Sequence, residues 1–383
     1  MRGPGGAALA LGAAIAIGAA QAPTLSITAP KEDVFLSGPT KLAADVSGDA
    51  AVQSVRFFVD GRLACTVERR PFGCPWDPGP VVRGHHVRVV ATLADGSRLV
   101  ANLRTKDLGY TERARVEAVL VPVVVSDGGR FVGGLQRQDF EVLEDGVSQR
   151  IVAFANEDSP LELVLAIDIS GSMERALGKV KEAVKQLLAR LRPTDAVTLI
   201  GFNDTMFIAA EREQDQRARE DAVDQLTAWG GTALYDATVR AVDLVGSSTA
   251  RKGVVVFSDG DDRHSLTAPD AAAAHVQAGN AMLYTVGFGA GATVPTLRDR
   301  LEQFAQSTGG RAFFPRDTGE LEPAFGHIMT ELSSQYVLSY VSANTRADGA
   351  WRSIRVRLPK GKYEVRARRG YQATSHRIQG DKP

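Results

Sequence analysis

Between residues 159 and 334, apolar runs alternate with amphipathic ones, and no other feature constrains the chain as much. Residues 161–167, 196–202, 253–258, 281–288 and 311–314 read as strands. Residues 173–191, 216–229, 233–245, 269–279, 294–307 and 319–332 carry apolar side chains three or four apart and read as helices. Apolar strands separated by such helices predict a mostly parallel sheet covered on both faces.

The first strand ends in a run that a core does not need. Leu163, Val164, Leu165, Ala166 and Ile167 lead into Asp168, and Ser170 and Ser172 follow at alternate positions. Ligands of open α/β sheets sit at the carboxyl ends of the strands, where strand order reverses. Two more loops bring oxygen donors to that end: Gly230-Gly231-Thr232, opening a helix, and Asp259-Gly260, closing the strand GVVVFSDG. Two carboxylates and three hydroxyls are all hard donors, a set that suits octahedral Mg²⁺ or Mn²⁺ at about 2.1 Å. Few of these donors are charged, so such an ion would stay electron-poor and keep a water-filled position. A carboxylate from another molecule can take that position. Singly, each residue has an ordinary reading: Ser172 and Thr232 as helix caps, Asp259-Gly260 as a turn, Asp168 as a solvated strand end. Together, at the ends of these strands, they favour the metal.

The segments DISGS, GGT and SDG, in this order and at these distances, resemble the metal-ion-dependent adhesion site of von Willebrand factor type A domains. The flanking DFEVLEDGVSQRI, QYVLSYVSANTRADGAWRSIRV and RARRGY resemble the bacterial VWFA-related family of the acidobacterial type. The resemblance implies that Asp168, Ser170, Ser172, Thr232 and Asp259 form the metal site. It also implies an α/β fold with a doubly wound, mostly parallel, Rossmann-like sheet.

The rest of the chain reads as β. Residues 24–106 alternate around Asp60-Gly61 and Asp95-Gly96, both hairpin signals, and predict a small sandwich. Its VRFFVDG, Trp76-Asp77 and His86–Val90 elements resemble bacterial immunoglobulin-like domains. Residues 113–158 and 335–373 form two further β blocks, each too small to bury a core. They are expected to pair with each other as a second sandwich into which the α/β domain (159–334) is inserted, with 374–383 as a tail. Residues 1–20 read as a signal peptide with cleavage after Ala20, placing the protein in the periplasm, cell envelope or extracellular space. Membrane association follows only if that segment stays uncleaved. In such a compartment Cys65 and Cys74, the only cysteines, are expected to form a disulfide rather than a metal site.

Charge excludes some functions. With 45 basic and 45 acidic residues the chain has no global bias toward nucleic acid. Residues 351–383 carry ten Lys/Arg against Glu364 and Asp381, but these arginines alternate with apolar residues and read as the solvated face of a strand. Gly171 to Gly178-Lys179 lacks the spacing of a phosphate loop, and GFGAGA (287–292) follows a late strand, which makes it a tight turn rather than a dinucleotide site. No nucleophile motif surrounds Ser170, and His264 stands alone near the site, so catalysis is not expected. The reading is an exported, non-enzymatic binding protein that takes an exposed Asp or Glu of a protein partner through a divalent metal. The alternative is a structural or assembly factor of the envelope that docks one partner without metal.

Overall fold

The computed structural model describes residues 22–373, apart from 33, 35, 37, 49, 79–83, 106–117, 246–249 and 347. The expected signal peptide and the tail lie outside the described residues. The chain divides into two compact units, Met1–Gly109 and Tyr110–Pro383.

In the first unit, period-2 apolar runs build strands β1 (Thr24–Ala29), β2 (Thr40–Ser47), β3 (Val52–Val59), β4 (Arg62–Val67), β5 (Gly73–Trp76), β6 (His86–Leu93) and β7 (Arg98–Arg104). They form two sheets, ordered β1-β2-β5 and β4-β3-β6-β7, that enclose Leu42, Val46, Val55, Phe57, Val87 and Val89. Asp60 and Gly61 turn β3 into β4 with φ of 52° and 83°, the backbone that an Asp-Gly pair supplies cheaply. Cys65 on β4 and Cys74 on β5 are disulfide-bonded, with Cα atoms 6.7 Å apart. Because β4 and β5 belong to different sheets, the bond staples one sheet to the other. Loss of this crosslink, in a Cys65→Ser/Cys74→Ser variant, is expected to destabilise the unit by about 2–3 kcal/mol. Urea unfolding measures it, and an unchanged midpoint would show that the sandwich stands without its staple.

The second unit begins with β8 (Ala118–Asp127), β9 (Arg130–Phe131), β10 (Glu141–Glu144), β11 (Val147–Gln149) and β12 (Ile151–Ala155). The α/β segment follows: β13 (Leu161–Asp168), α1 (Leu177–Leu188), β14 (Ala196–Phe202), β15 (Met206–Glu213), α2 (Gln216–Asp224), α3 (Leu234–Asp243), β16 (Arg251–Ser258), α4 (Pro269–Ala278), β17 (Met282–Gly287), α5 (Ala290–Thr293), α6 (Pro295–Ser307), β18 (Ala312–Phe313) and α7 (Leu321–Ser333). The chain then returns to β with β19 (Tyr336–Val341), β20 (Trp351–Arg357), β21 (Glu364–Ala367) and β22 (Gly370–Gln372).

The β strands on either side of the α/β segment share their sheets. One sheet runs β11-β10-β20-β22; the other runs β12-β19-β8-β21, with β9 beside β8. Between them lie Val121, Val123, Val125, Phe140, Val142, Tyr336, Leu338, Tyr340, Ile354 and Val356. The α/β sheet has the order β15-β14-β13-β16-β17-β18. All its pairs are parallel except β14 with the edge strand β15. Leu163, Leu165 and Ile167 face a core built with α1, α2 and α7; Val164 and Ala166 face one built with α3, α4 and α6. From β13 the sheet grows first toward β14 and later toward β16, so strand order reverses at the carboxyl ends of β13 and β16.

The structure corrects one expectation about the arginines. Arg355 and Arg357 do face solvent from β20, but Arg352 and Arg368 are 5% and 4% exposed. Arg366 pairs with Glu331 of α7. The arginine-bearing face of β21 is turned onto the α/β domain, and tertiary packing overrides the solvated-face pattern there.

Candidate metal centre

The site is assembled where the strand order reverses. β13 delivers Asp168 to the end of its apolar run, where the carboxylate is fully buried. One oxygen, Oδ1, accepts the Ser170 amide N–H at 2.8 Å; Oδ2 accepts the Ser258 hydroxyl at 2.6 Å. Ser258 ends β16 and itself accepts the Gly260 N–H at 2.9 Å, tying the first and third loops together. Ser170 Oγ and Ser172 Oγ lie 2.9 Å apart, and Ser172 lies against Asp259, where it offsets part of the rise that burial imposes on that carboxyl. Asp168, Ser170, Ser172 and Asp259 therefore form one connected set.

Thr232 joins this set through its loop. Gly171 donates its N–H to Gly230 O at 2.9 Å, and Trp229 donates to Ile169 O at 2.8 Å, laying the second loop along the first. The Arg263 and His264 amides both donate to Thr232 O at 3.1 Å, which fixes the threonine main chain from the other side. Its side chain is nearly buried. Gly230 (φ 78°) and Gly260 (φ 94°) take left-handed backbone that other residues resist. A Cβ on Gly260 would stand 2.7 Å from Gly291 Cα, so the third loop has no room for a side chain.

The ordinary readings of the hydroxyls do not describe this geometry. The helix N-caps here are Ala176 for α1 and Ala233 for α3, and the first 3₁₀ turn (Gly171–Met173) receives no side-chain cap from Ser170. The first amides of α3 are instead taken by Asp262 (from Tyr235 N–H, 2.9 Å) and Ser265 (from Asp236 N–H, 3.0 Å). Asp262 is thus a capping residue, and Asp261 is paired with Arg263. His264 is exposed, with its ring laid against Gly231.

Electrostatics point the same way. Burial pushes the Asp168 carboxyl up to about 6, against the pull of its hydrogen bonds, and the neighbouring Asp259 adds to the rise. Asp259 is also raised, first by burial and further by Asp261. Two adjacent carboxylates that resist ionisation form a site that a cation would relieve. No group of three or more His, Cys, Asp or Glu poised for a metal occurs among the described residues, so an ion here would rest on hydroxyls as much as on charge. The oxygens gathered here, from Asp168, Ser170, Ser172 and Asp259 with Thr232 in the adjoining loop, are hard donors of the kind that suits a hard divalent cation.

Sequence reasoning missed three contributors. Ser258 fixes Asp168, and its place just before Asp259 in the SDG run was the available signal. Asn203, 2% exposed, donates to Trp229 O at 2.9 Å and accepts the Ala233 N–H on its own carbonyl at 2.6 Å, bracing the second loop. Gly291, in the short helix α5 after β17, donates to Asp259 O at 2.6 Å.

Both regions match known domain families. Residues 162–327 match the family model of the von Willebrand factor type A domain, and residues 23–98 match that of the bacterial Ig domain. A UPF0353 protein of Mycolicibacterium paratuberculosis is 22% identical over 204 residues, covering 46% of this chain; the match spans 62% of that relative's length. Among solved structures, the mussel byssus proximal thread matrix protein 1 with a zinc-occupied MIDAS motif is 15% identical, with TM-score 0.42 over 49% of each chain. The von Willebrand factor domain of the type V pili tip protein Mfa5 from Porphyromonas gingivalis is 14% identical, with TM-score 0.39 over 45% of this chain and 94% of that one.

Proposed function

We propose that this chain, which carries a bacterial Ig domain followed by a von Willebrand factor type A domain, is an exported, non-enzymatic binding protein. In this reading the type A domain holds Mg²⁺ or Mn²⁺ and, through it, an Asp or Glu carboxylate of a protein partner. The observation that carries the reading is Asp168. It is a fully buried carboxylate pushed up to about 6, locked by Ser258 and the Ser170 amide, and joined through two serine hydroxyls to a second raised carboxylate. Once ionised, such a group costs the core stability unless a positive charge balances it.

The residues divide the work. Asp168 and Asp259 supply the negative charge; Ser170, Ser172 and Thr232 supply neutral oxygens. The bound ion would supply Lewis acidity toward an incoming carboxylate. Ser172 is exposed and Asp259 partly so, which leaves the site open on their side, while Asp168 is closed beneath. The reversal of strand order at β13 and β16 supports this reading, because loops at such a rim are where open α/β sheets take their ligands. The inter-sheet disulfide supports export, since such bonds persist in oxidising compartments. Among the described residues no helix is long and apolar enough to cross a membrane.

A pull-down from envelope extracts with Mg²⁺ and then with EDTA tests the function. Partner capture should be lost on chelation and return with added Mg²⁺. Capture that survives EDTA would instead favour an assembly factor docking its partner without metal.

A further inference from the structure

Two peptide crossovers, residues 156–160 and 334–335, connect the α/β domain to its sandwich, and on their own they would make a hinge. Buried side chains brace both. Arg251, 2% exposed, donates Nε to Ser159 O at 2.9 Å and Nη1 to Leu332 O at 2.6 Å, gripping the first crossover and the end of α7 that leads into the second. Gln335, fully buried, pairs its amide with the Lys252 main chain at 3.0 and 3.2 Å, as a neighbouring strand would.

A third set of contacts lies away from the crossovers. Arg366 and Arg368 stand two residues apart at the end of β21 and so project from one face. Arg366 reaches Glu331 on α7, a carboxylate 1% exposed that also lies 3.4 Å from Arg311 beside β18. Arg368 donates to Gln277 O at 3.0 Å, in the last turn of α4, and to Gly279 O at 3.1 Å just beyond it, carbonyls that find no partner within the helix. Between the two prongs the β21 backbone abuts Gly309; a Cβ there would fall 2.6 Å from Ala367 C. Val124 of β8 joins the apolar core beneath α7.

We infer that Arg366 and Arg368 form a two-pronged clamp by which the end of β21, the penultimate strand of the sandwich, holds α7 and α4 and turns the hinge into a rigid joint. The metal loops lie at the opposite ends of the strands from the crossovers. A partner held at those loops is then carried at a fixed angle to the sandwich, and a pull on it is shared between the clamp and the braced crossovers. The clamp requires no ion, so it stands or falls apart from the metal reading.

Double-mutant analysis in the full chain tests it, read by amide hydrogen exchange and thermal unfolding. Arg366→Met leaves Glu331 buried with one partner fewer; it is expected to lower Tm by about 5–10 °C and to raise exchange at 331–336 about tenfold or more. Glu331→Gln/Arg366→Met removes the stranded charge and should recover at least half of the Tm loss. Arg368→Met should raise exchange at 277–282 and leave 331–336 nearly unchanged. Mg²⁺ affinity should stay at the wild-type value in each folded variant. If Arg366→Met fails to fold, Glu331→Gln serves in its place and should loosen the same residues. Exchange that is unchanged at the joint, or that rises evenly across the whole unit, would overturn the clamp.

Discussion

Asp168→Ala is expected to abolish Mg²⁺ binding, at least a hundredfold in affinity (about 2.7 kcal/mol), while the chain stays folded. In the metal-free protein the Asp168 carboxyl is raised from 3.8 to about 6, so its ionised form costs about 3 kcal/mol above that pH. The sign follows from the direction of the shift: the fold favours the protonated acid. Metal-free protein therefore loses stability as pH rises from roughly 4 to 6, and the loss is complete above the raised value. Removing the carboxylate lifts that cost but leaves the Ser258 hydroxyl and Ser170 N–H without an acceptor, at about 1–3 kcal/mol. The two effects nearly cancel, so Tm at pH 8 without metal should change by only a few degrees. With Mg²⁺ the wild type should gain stability and the variant should not. Calorimetry checks the affinity and its pH dependence, which should weaken as protons compete below about pH 6. Equal affinity in wild type and variant would move the metal away from these loops.

Much of the frame was legible because burial on both faces leaves a plain signature. The reading 196–202 coincides with β14, and 161–167 falls one residue short of β13. The apolar spacing extends the first helix back to 173, whereas α1 starts at Leu177, because Met173 keeps that spacing although it belongs to a 3₁₀ turn. That turn brings Ser170 and Ser172 side by side; helical periodicity could not reveal it. β15 was missed altogether. MFIAAERE neither alternates nor repeats at helical spacing, and its strand character comes from pairing with β14 at the sheet edge. At the centre, residue type and strand position pointed to the donors, whereas Ser258 and Asn203 act through contacts that no local pattern announces. Arg366 shows the same limit: alternation placed it on an outward face, and only the assembled unit shows that this face meets α7.

Gly310→Ala is expected to destabilise the second unit by at least about 3 kcal/mol, enough to deplete the folded protein at 37 °C. Gly310 is buried where α6 gives way to β18, and a Cβ there would lie 1.9 Å from Leu283 O and 2.7 Å from Leu283 C. The obstacle is main chain in the middle of β17, which is held on both sides by β16 and β18 and cannot yield without breaking a ladder. Leu283 is further tied to the same turn by its N–H, which donates to the Thr308 hydroxyl at 2.8 Å. Displacing the turn would also shift Gly309 from Ala367 and strain the joint with the sandwich. Gly178 supplies the contrast within the same domain. It is exposed in α1, with nothing within 4 Å of an added Cβ and no left-handed backbone, so Gly178→Ala should stabilise by up to about 1 kcal/mol. Urea unfolding of the two variants beside the wild type measures both effects. Similar midpoints for Gly310→Ala and wild type would mean that β17 and the turn are not packed as closely as the structure places them.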